Sequence, residues 1–185
     1  DGGSGHYAAI VTKISEAYPA IKTEVLIPDF KGCIEDLKTV ATSRPAVINH
    51  NLETVPELYA TVRKGSIYAR SLDVLSNIKA LDTSILSKTG LMVGLGETTD
   101  QLKRVFEDIR ARNVDILTLG QYLKPDRKSL DVVEYYHPDQ FEKLKEIALD
   151  MGIRYVFSGP LVRSSYLAEH VFEDLIDGVA INHCH

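Results

Sequence analysis

Past the last apolar run of the chain, Tyr155-Val156-Phe157, the sequence reads SGPLVRSSYLAEH over 158–170. Arg163, Ser164 and Ser165 place one guanidinium and two hydroxyls side by side. Such a group can cap a helix, hold a phosphate, attack an ester or ligate a metal. The ester chemistry fits poorly, because the serines stand in Arg-Ser-Ser-Tyr and not in the G-x-S-x-G of a nucleophile elbow. An anion fits better, since hydroxyls, a guanidinium and a helix amino terminus all favour negative charge. A helix cap accounts for one of the two serines in any case.

Other polar residues stand just past apolar runs: Asp29, Asn49-His50-Asn51-Leu52-Glu53, Gly94-Leu95-Gly96-Glu97 and Gln121-Tyr122. Each set alone is ordinary turn chemistry. Together with 158–165 they make five sets that converge on one mouth if the runs are parallel strands, and that convergence points to an enzyme. The glycines at 90, 94 and 96 do not spell the dinucleotide fingerprint, and no Gly-Lys-Ser/Thr follows them. They mark a corner where backbone can approach a flat ligand, or where a helix packs tightly on a strand. His50 and His170 could serve as bases, but no ordering of residues singles them out. His183-Cys184-His185 has metal-ligating types in a terminal tripeptide, where such residues are more often unstructured.

The frame that would hold these residues alternates. Helices are expected over 8–18 with Ile10, Ile14 and Ala17 inward, over 34–41, over 66–79 with Leu72, Leu75 and Ile78 inward, and over 166–176. Thr98-Thr-Asp-Gln101 is a capping box that opens a helix with Leu102, Val105, Phe106 and Ile109 on one stripe. His137-Pro138-Asp139 opens another, with Phe141, Leu144, the Lys145 stem, Ala148 and Met151 inward and Gly152 closing it. Strands are expected over 24–28, 46–48, 89–95, 116–119 and 154–157. Continuous apolar strands between amphipathic helices mean a parallel sheet covered by helices. Five βα units fit an open doubly wound sheet or the later units of a barrel. The long interval 121–136 leaves the carboxyl end of a strand, the face where α/β proteins carry their sites, and is expected to be a lid.

Composition narrows the classes. The 185 residues are 44% hydrophobic and 25% charged, which suits one soluble domain. Net charge is −5 with no basic stripe, so a nucleic-acid partner is not expected. No apolar run approaches the ~20 residues that cross a bilayer, and no membrane role is expected. Two cysteines, Cys33 and Cys184, form no C-x-x-C and suggest a reducing compartment. A chain opening on Asp1 reads as a piece of something longer.

Seven segments carry a further signal. DGGSGHYAAIVTKI, EVLIPDFKG, INHNLETVPELY, VRKGSIYARSLDVL, SKTGLMVGLGET, VDILTLGQYLKP and SGPLVRSSYLAEH resemble, in order, the signature blocks of the lipoyl synthase family. The resemblance runs from Asp1 to about Ala168. It implies an α/β fold, a partial parallel (β/α) barrel of the radical S-adenosylmethionine type with its first βα units missing from this chain. Residues 1–168 would form that barrel and 169–185 a carboxyl-terminal helix and tail.

The resemblance implies insertion of two sulfurs at C6 and C8 of an octanoyl chain. Two [4Fe–4S] clusters and S-adenosylmethionine are the implied cofactors. One cluster cleaves S-adenosylmethionine to a 5′-deoxyadenosyl radical, and the second supplies the sulfur. The cysteine sets for both clusters, C-x-x-x-C-x-x-C and C-x-x-x-x-C-x-x-x-x-x-C, are absent and would lie upstream, which leaves the chain inactive alone. Ser165 matches the serine that ligates the auxiliary cluster, a hard oxygen poorly matched to iron that must come apart, and Arg163 stands beside it. Gly90, Met92, Gly94 and Glu97 match a G-x-I-x-G-x-x-E strand that contacts adenine, with methionine for isoleucine. Asn51 and Glu53 match an N-H-N-L-E block in the S-adenosylmethionine pocket, Arg70 and Ser71 would face the methionine carboxylate, and Gln121 and Tyr122 the mouth. Implied partners are an octanoylated lipoyl domain or glycine cleavage H protein and an electron donor such as ferredoxin or flavodoxin, in a bacterial cytoplasm or mitochondrial matrix. Two other readings stay open: a small (β/α) enzyme holding a substrate phosphate with Arg163, Ser164 and Ser165, and a non-catalytic paralogue that only binds.

Overall fold

The computed structural model describes residues 1–165. The helix expected over 166–176, the 169–185 tail and His170, Cys184 and His185 lie outside the described residues.

Five strands, β1 (Glu24–Leu26), β2 (Val47–Asn49), β3 (Leu86–Val93), β4 (Ile116–Gln121) and β5 (Tyr155–Gly159), pair in parallel in sequence order. That order chooses between the two architectures. A doubly wound sheet reverses direction and puts helices on both faces. An unreversed order with right-handed crossovers puts every helix on one face and curls the sheet into an arc of a (β/α) barrel. Among the described residues the α-helices are α1 (Ser4–Ala17), α2 (Ile34–Thr42), α3 (Tyr59–Val62), α4 (Tyr68–Leu81), α5 (Thr99–Ala111) and α6 (Pro138–Asp150).

Side-chain alternation divides the sheet into two faces. Ile48, Leu91, Val93, Leu117 and Leu119 face the helices and join Leu75, Ile78, Val105, Phe106, Ile109, Phe141 and Ala148 in the main core. Val47, Leu86 and Ile116 form a second cluster with Tyr155 and Phe157 on the concave face. Above that cluster on the same face stand Lys88, Gly90 and Met92 of β3 and Thr118 and Gly120 of β4, with Gly90 beside Thr118 and Met92 beside Gly120. The concave face is thus apolar at its base and small and polar toward the strand ends.

The helix stripes at 102–109 and 141–148 are buried as expected, and both caps form: Thr98 Oγ1 accepts from Gln101 N–H, and His137 and Gln140 cap α6 reciprocally. Each cap stabilises its helix by about 1 kcal/mol.

Three expectations change. α1 starts at Ser4 and buries Ser4 and Val11, while Ile10 is exposed. Its rotation is set by the Ser4 hydroxyl, which donates to Asp36 Oδ1 at 2.8 Å, and by Tyr7 packing edge-on to Phe30. β3 begins at Leu86 and not Thr89, because Ser87 and Lys88 are polar residues neutralised inside the fold. Ser87 N–H and Oγ donate to Asp115, and Lys88 Nζ, 1% exposed, donates to both Glu24 carboxylate oxygens at 3.0 Å. The 121–136 segment is fastened down along its length rather than free to swing. Gly94 O accepts from Val133 N–H, Tyr122 OH donates to Leu130 O at 2.9 Å and Lys124 pairs with Asp131.

Candidate functional site

A cleft of about 460 Å³ opens at the carboxyl ends of β3 and β4. Asn51, Glu53, Gly90, Met92, Gln121, Tyr122 and Arg163 line it, seven of the residues expected at one mouth. Leu123, Pro125 and Val162 supply an apolar wall, and Thr118 and Ser164 further hydroxyls.

The segment after β2 builds the polar side. Glu53 holds φ +68 and bridges to Leu91: its N–H donates to Gly90 O and its carbonyl accepts from Met92 N–H. A non-glycine residue in the left-handed region costs about 1–2 kcal/mol, and such strain collects at functional positions. The turn aims the Glu53 carboxylate into the cleft, where Asn51 Nδ2 donates to it at 3.2 Å. Asn51 Oδ1 is buried with no hydrogen-bond partner. Gly90 explains the closeness: a Cβ there would stand 2.9 Å from Asn51 Oδ1 and 2.8 Å from Thr118 Oγ1. Gly90 therefore keeps the cleft floor open between an amide oxygen and a hydroxyl. The chemistry this offers is binding and orientation. Acceptors on one side take hydroxyl or amino donors, an apolar wall takes a flat or aliphatic group, and the Arg163 guanidinium takes an anion.

Other expected residues lie elsewhere. Arg70 and Ser71 do not reach this cleft. Arg70 pairs with Asp29 at 2.6 Å in a separate cleft of about 270 Å³ between the β1–α2 turn and α4. Burial opposes the Asp29 charge, but the Lys31 N–H and the Arg70 guanidinium outweigh it and hold the carboxyl below its ordinary range. Ser71 is 1% exposed and meets His50 Nε2 at 3.0 Å, while His50 Nδ1 meets Ile27 O at 3.0 Å. Burial holds the His50 imidazole below its usual range, hence neutral. Gly94 and Glu97 form the turn after β3: the Glu97 carboxylate accepts from Gly94 and Leu95 N–H at 2.7 and 2.9 Å. They fasten the corner and do not line the cleft. Ser165 is exposed on the turn that follows β5.

Sequence reasoning missed Thr118 and Gly120. Gly120 was legible as a glycine beside the cleft strand, since Val162 O occupies the space a Cβ would need.

An iron–sulfur cluster needs a set of thiolates or equivalent ligands. Among the described residues no group of three His, Cys, Asp or Glu could hold a metal, and Cys33 is exposed and alone. The described residues do not by themselves fit a cluster. They do fit a molecule with hydroxyl and amino donors and a flat apolar part, on the strength of the orphaned Asn51 oxygen and the Gly90 floor. No described helix is long and apolar enough to cross a membrane.

No protein-family model matches the chain. Among curated proteins, it is 49% identical over 179 residues to lipoyl synthase of Caldicellulosiruptor bescii, covering 97% of this chain and 61% of that protein. It is 50% identical over 169 residues to lipoyl synthase of Caldicellulosiruptor saccharolyticus, covering 91% of this chain and 59% of that protein. The chain thus spans about three-fifths of the length of these relatives. Among solved structures, methylornithine synthase superposes with a TM-score of 0.64 at 13% identity, covering 96% of this chain and 64% of that one, a likeness of fold.

Proposed function

We propose, from the premise that this chain belongs to the lipoyl synthase family over the part of those enzymes it spans, that it forms the S-adenosylmethionine-binding arc of an enzyme that inserts two sulfurs at C6 and C8 of a protein-bound octanoyl chain. The observation that carries the reading is identity near one half along almost the whole chain, and the cleft geometry supports it. Asn51 Oδ1 and the Glu53 carboxylate would take hydroxyl or amino donors of S-adenosylmethionine, and the open backbone at Gly90 with Met92 would take its adenine. Held there by Asn51, Glu53, Gly90 and Met92, S-adenosylmethionine would supply hydrogen-atom abstraction once it received one electron from a cluster whose ligands lie outside the described residues. The protein's part is to orient it and to exclude water with Met92, Leu123, Pro125 and Val162.

The finer parts of the reading reach beyond the cleft. Ser165 is proposed to offer one oxygen to an auxiliary cluster, the other ligands coming from outside these 185 residues. An octanoylated lipoyl domain or glycine cleavage H protein would be the substrate carrier, and ferredoxin or flavodoxin the electron donor. The relatives' organisms support a bacterial cytoplasm as the compartment.

A hybrid enzyme tests this. In Caldicellulosiruptor bescii lipoyl synthase the matching segment is replaced by this chain, and lipoyl product is measured on an octanoylated carrier. Product above the deleted control is expected. A folded hybrid with intact clusters and no product would overturn the reading.

A further inference from the structure

Gln121 lines the cleft, yet its side chain is 5% exposed and turned to the backbone. Nε2 donates to Tyr122 O at 3.1 Å and to Glu134 O at 3.0 Å, and Oε1 accepts from Tyr136 N–H at 3.0 Å. Three of the four hydrogen-bonding positions of the amide are therefore committed, including both donors. All three bonds hold the ends of one segment, Tyr122–Tyr136, to the end of β4.

The neighbouring glycine completes the clasp. Gly94 O accepts from Val133 N–H at 2.9 Å and from Glu134 N–H at 3.4 Å. Gly94 has φ +97, and a Cβ there would collide with Gln121 Nε2 and Glu134 O. Glu97 fixes that corner in turn through Gly94 and Leu95 N–H. The clasp spans β3, β4 and the segment. The segment's first residues, Leu123 and Pro125, form the cleft wall.

We infer that Gln121 is a positioning residue: it does not meet the ligand but clasps the Tyr122–Tyr136 segment as a fixed strap, so that Leu123 and Pro125 set the width of the cleft. This assigns to Gln121 a role different from ligand contact at the mouth. It rests on the cleft geometry. Only the ligand measurement below rests on reading the cleft as an S-adenosylmethionine site.

Two variants test it by amide hydrogen exchange in the chain, with α5 (102–109) as internal reference. Gln121→Met keeps the volume and removes every bond. Exchange at Val133, Glu134 and Tyr136 is expected to rise at least tenfold, with 102–109 unchanged. Gln121→Glu loses its donors when ionised and turns charge on the Tyr122 and Glu134 carbonyls. When protonated it regains one donor and keeps an acceptor. Its strap amides are expected to exchange fast at pH 8 and to recover most of the parent's protection at pH 5, after correction for intrinsic rates. The charged and titratable groups around the clasp are Glu97, Glu134, Tyr122, Tyr136, Lys124, Asp131 and Arg163, and the parent protein controls for all of them. In the hybrid enzyme, Gln121→Met should weaken S-adenosylmethionine binding about tenfold with turnover at saturation within twofold. Unchanged exchange at 133–136 in Gln121→Met, or no recovery in acid for Gln121→Glu, overturns the clasp. A clasp that behaves as stated in a protein that does not bind S-adenosylmethionine overturns only the reading of the ligand.

Discussion

Two groups of polar residues sit at neighbouring strand ends, and the fold uses them in opposite ways. At β1 the matching is nearly complete: Glu24 with Lys88 and Asn49 Nδ2, Ile27 O with His50 and through it Ser71, Asp29 with Arg70, while Asn49 Oδ1, which does not line the cleft, is left over. At the β3–β4 cleft the matching is incomplete. Asn51 Oδ1 has no partner, and Glu53 pays strain at φ +68 to point a carboxylate that meets only an amide. The β1 group is a fastening for a three-residue edge strand; the cleft group keeps hydrogen-bonding capacity for something else. Residue type at a strand end does not separate the two. Leftover capacity does.

That contrast predicts where substitutions break the fold and where they break binding. The largest loss is expected from Lys88→Met, which leaves the Glu24 carboxylate, with its side chain 15% exposed, without its cation and with only the Asn49 amide N–H at 3.3 Å. Removing one partner of a buried pair costs about 3–5 kcal/mol, read as a lower urea midpoint. A midpoint shift equivalent to less than about 1 kcal/mol would mean that the pair is not part of the fastening. Ser71→Ala comes next, at about 1–3 kcal/mol, because the buried His50 Nε2 loses its partner.

The same histidine gives the fastening a pH signature. Burial lowers its folded-state pKa, so below the unfolded value of about 6.5 the unfolded chain binds the proton and the folded chain does not. Stability contributed by neutral His50 is complete above that value and is lost as pH falls toward the folded pKa. The urea midpoint should therefore drop between pH 7 and pH 5. Asp29 works in the same direction at lower pH: its depressed pKa keeps its contribution present above the ordinary carboxylate value of 3.8, and that contribution is lost as pH falls further. A flat midpoint from pH 7 to pH 5 would contradict the buried, neutral assignment.

The cleft should behave otherwise. Glu53→Gly removes left-handed strain and is expected to stabilise the fold by up to about 1 kcal/mol while abolishing binding. A destabilised Glu53→Gly would place Glu53 with the fastening instead.

Much of this frame was legible in the sequence. The capping box at Thr98–Gln101 and the stripes at 102–109 and 141–148 fixed two helices, because local chemistry and periodicity agree there. Periodicity alone left the barrel arc open, since strands of either architecture read as apolar runs, and the family resemblance supplied it. The start of β3 was hidden by Lys88, whose burial depends on a carboxylate 64 positions away. The site was legible in its members but not in its division. Arg70 and Ser71 are polar residues as Asn51 and Glu53 are, and only the packing of α4 against the β1 turn decides that they serve the fastening. Gln121 was legible as a cleft residue, while its bonds to the strap require Glu134 and Tyr136 to fold back over β4.

The most direct measurement is S-adenosylmethionine affinity in the hybrid enzyme for three variants side by side: Asn51→Ala, Glu53→Ala and Ser71→Ala. The account predicts at least a tenfold loss for the first two and a change within twofold for Ser71→Ala, despite its greater cost in stability. Affinity lost in Ser71→Ala and kept in Asn51→Ala and Glu53→Ala would contradict it and move the ligand to the His50–Ser71 group.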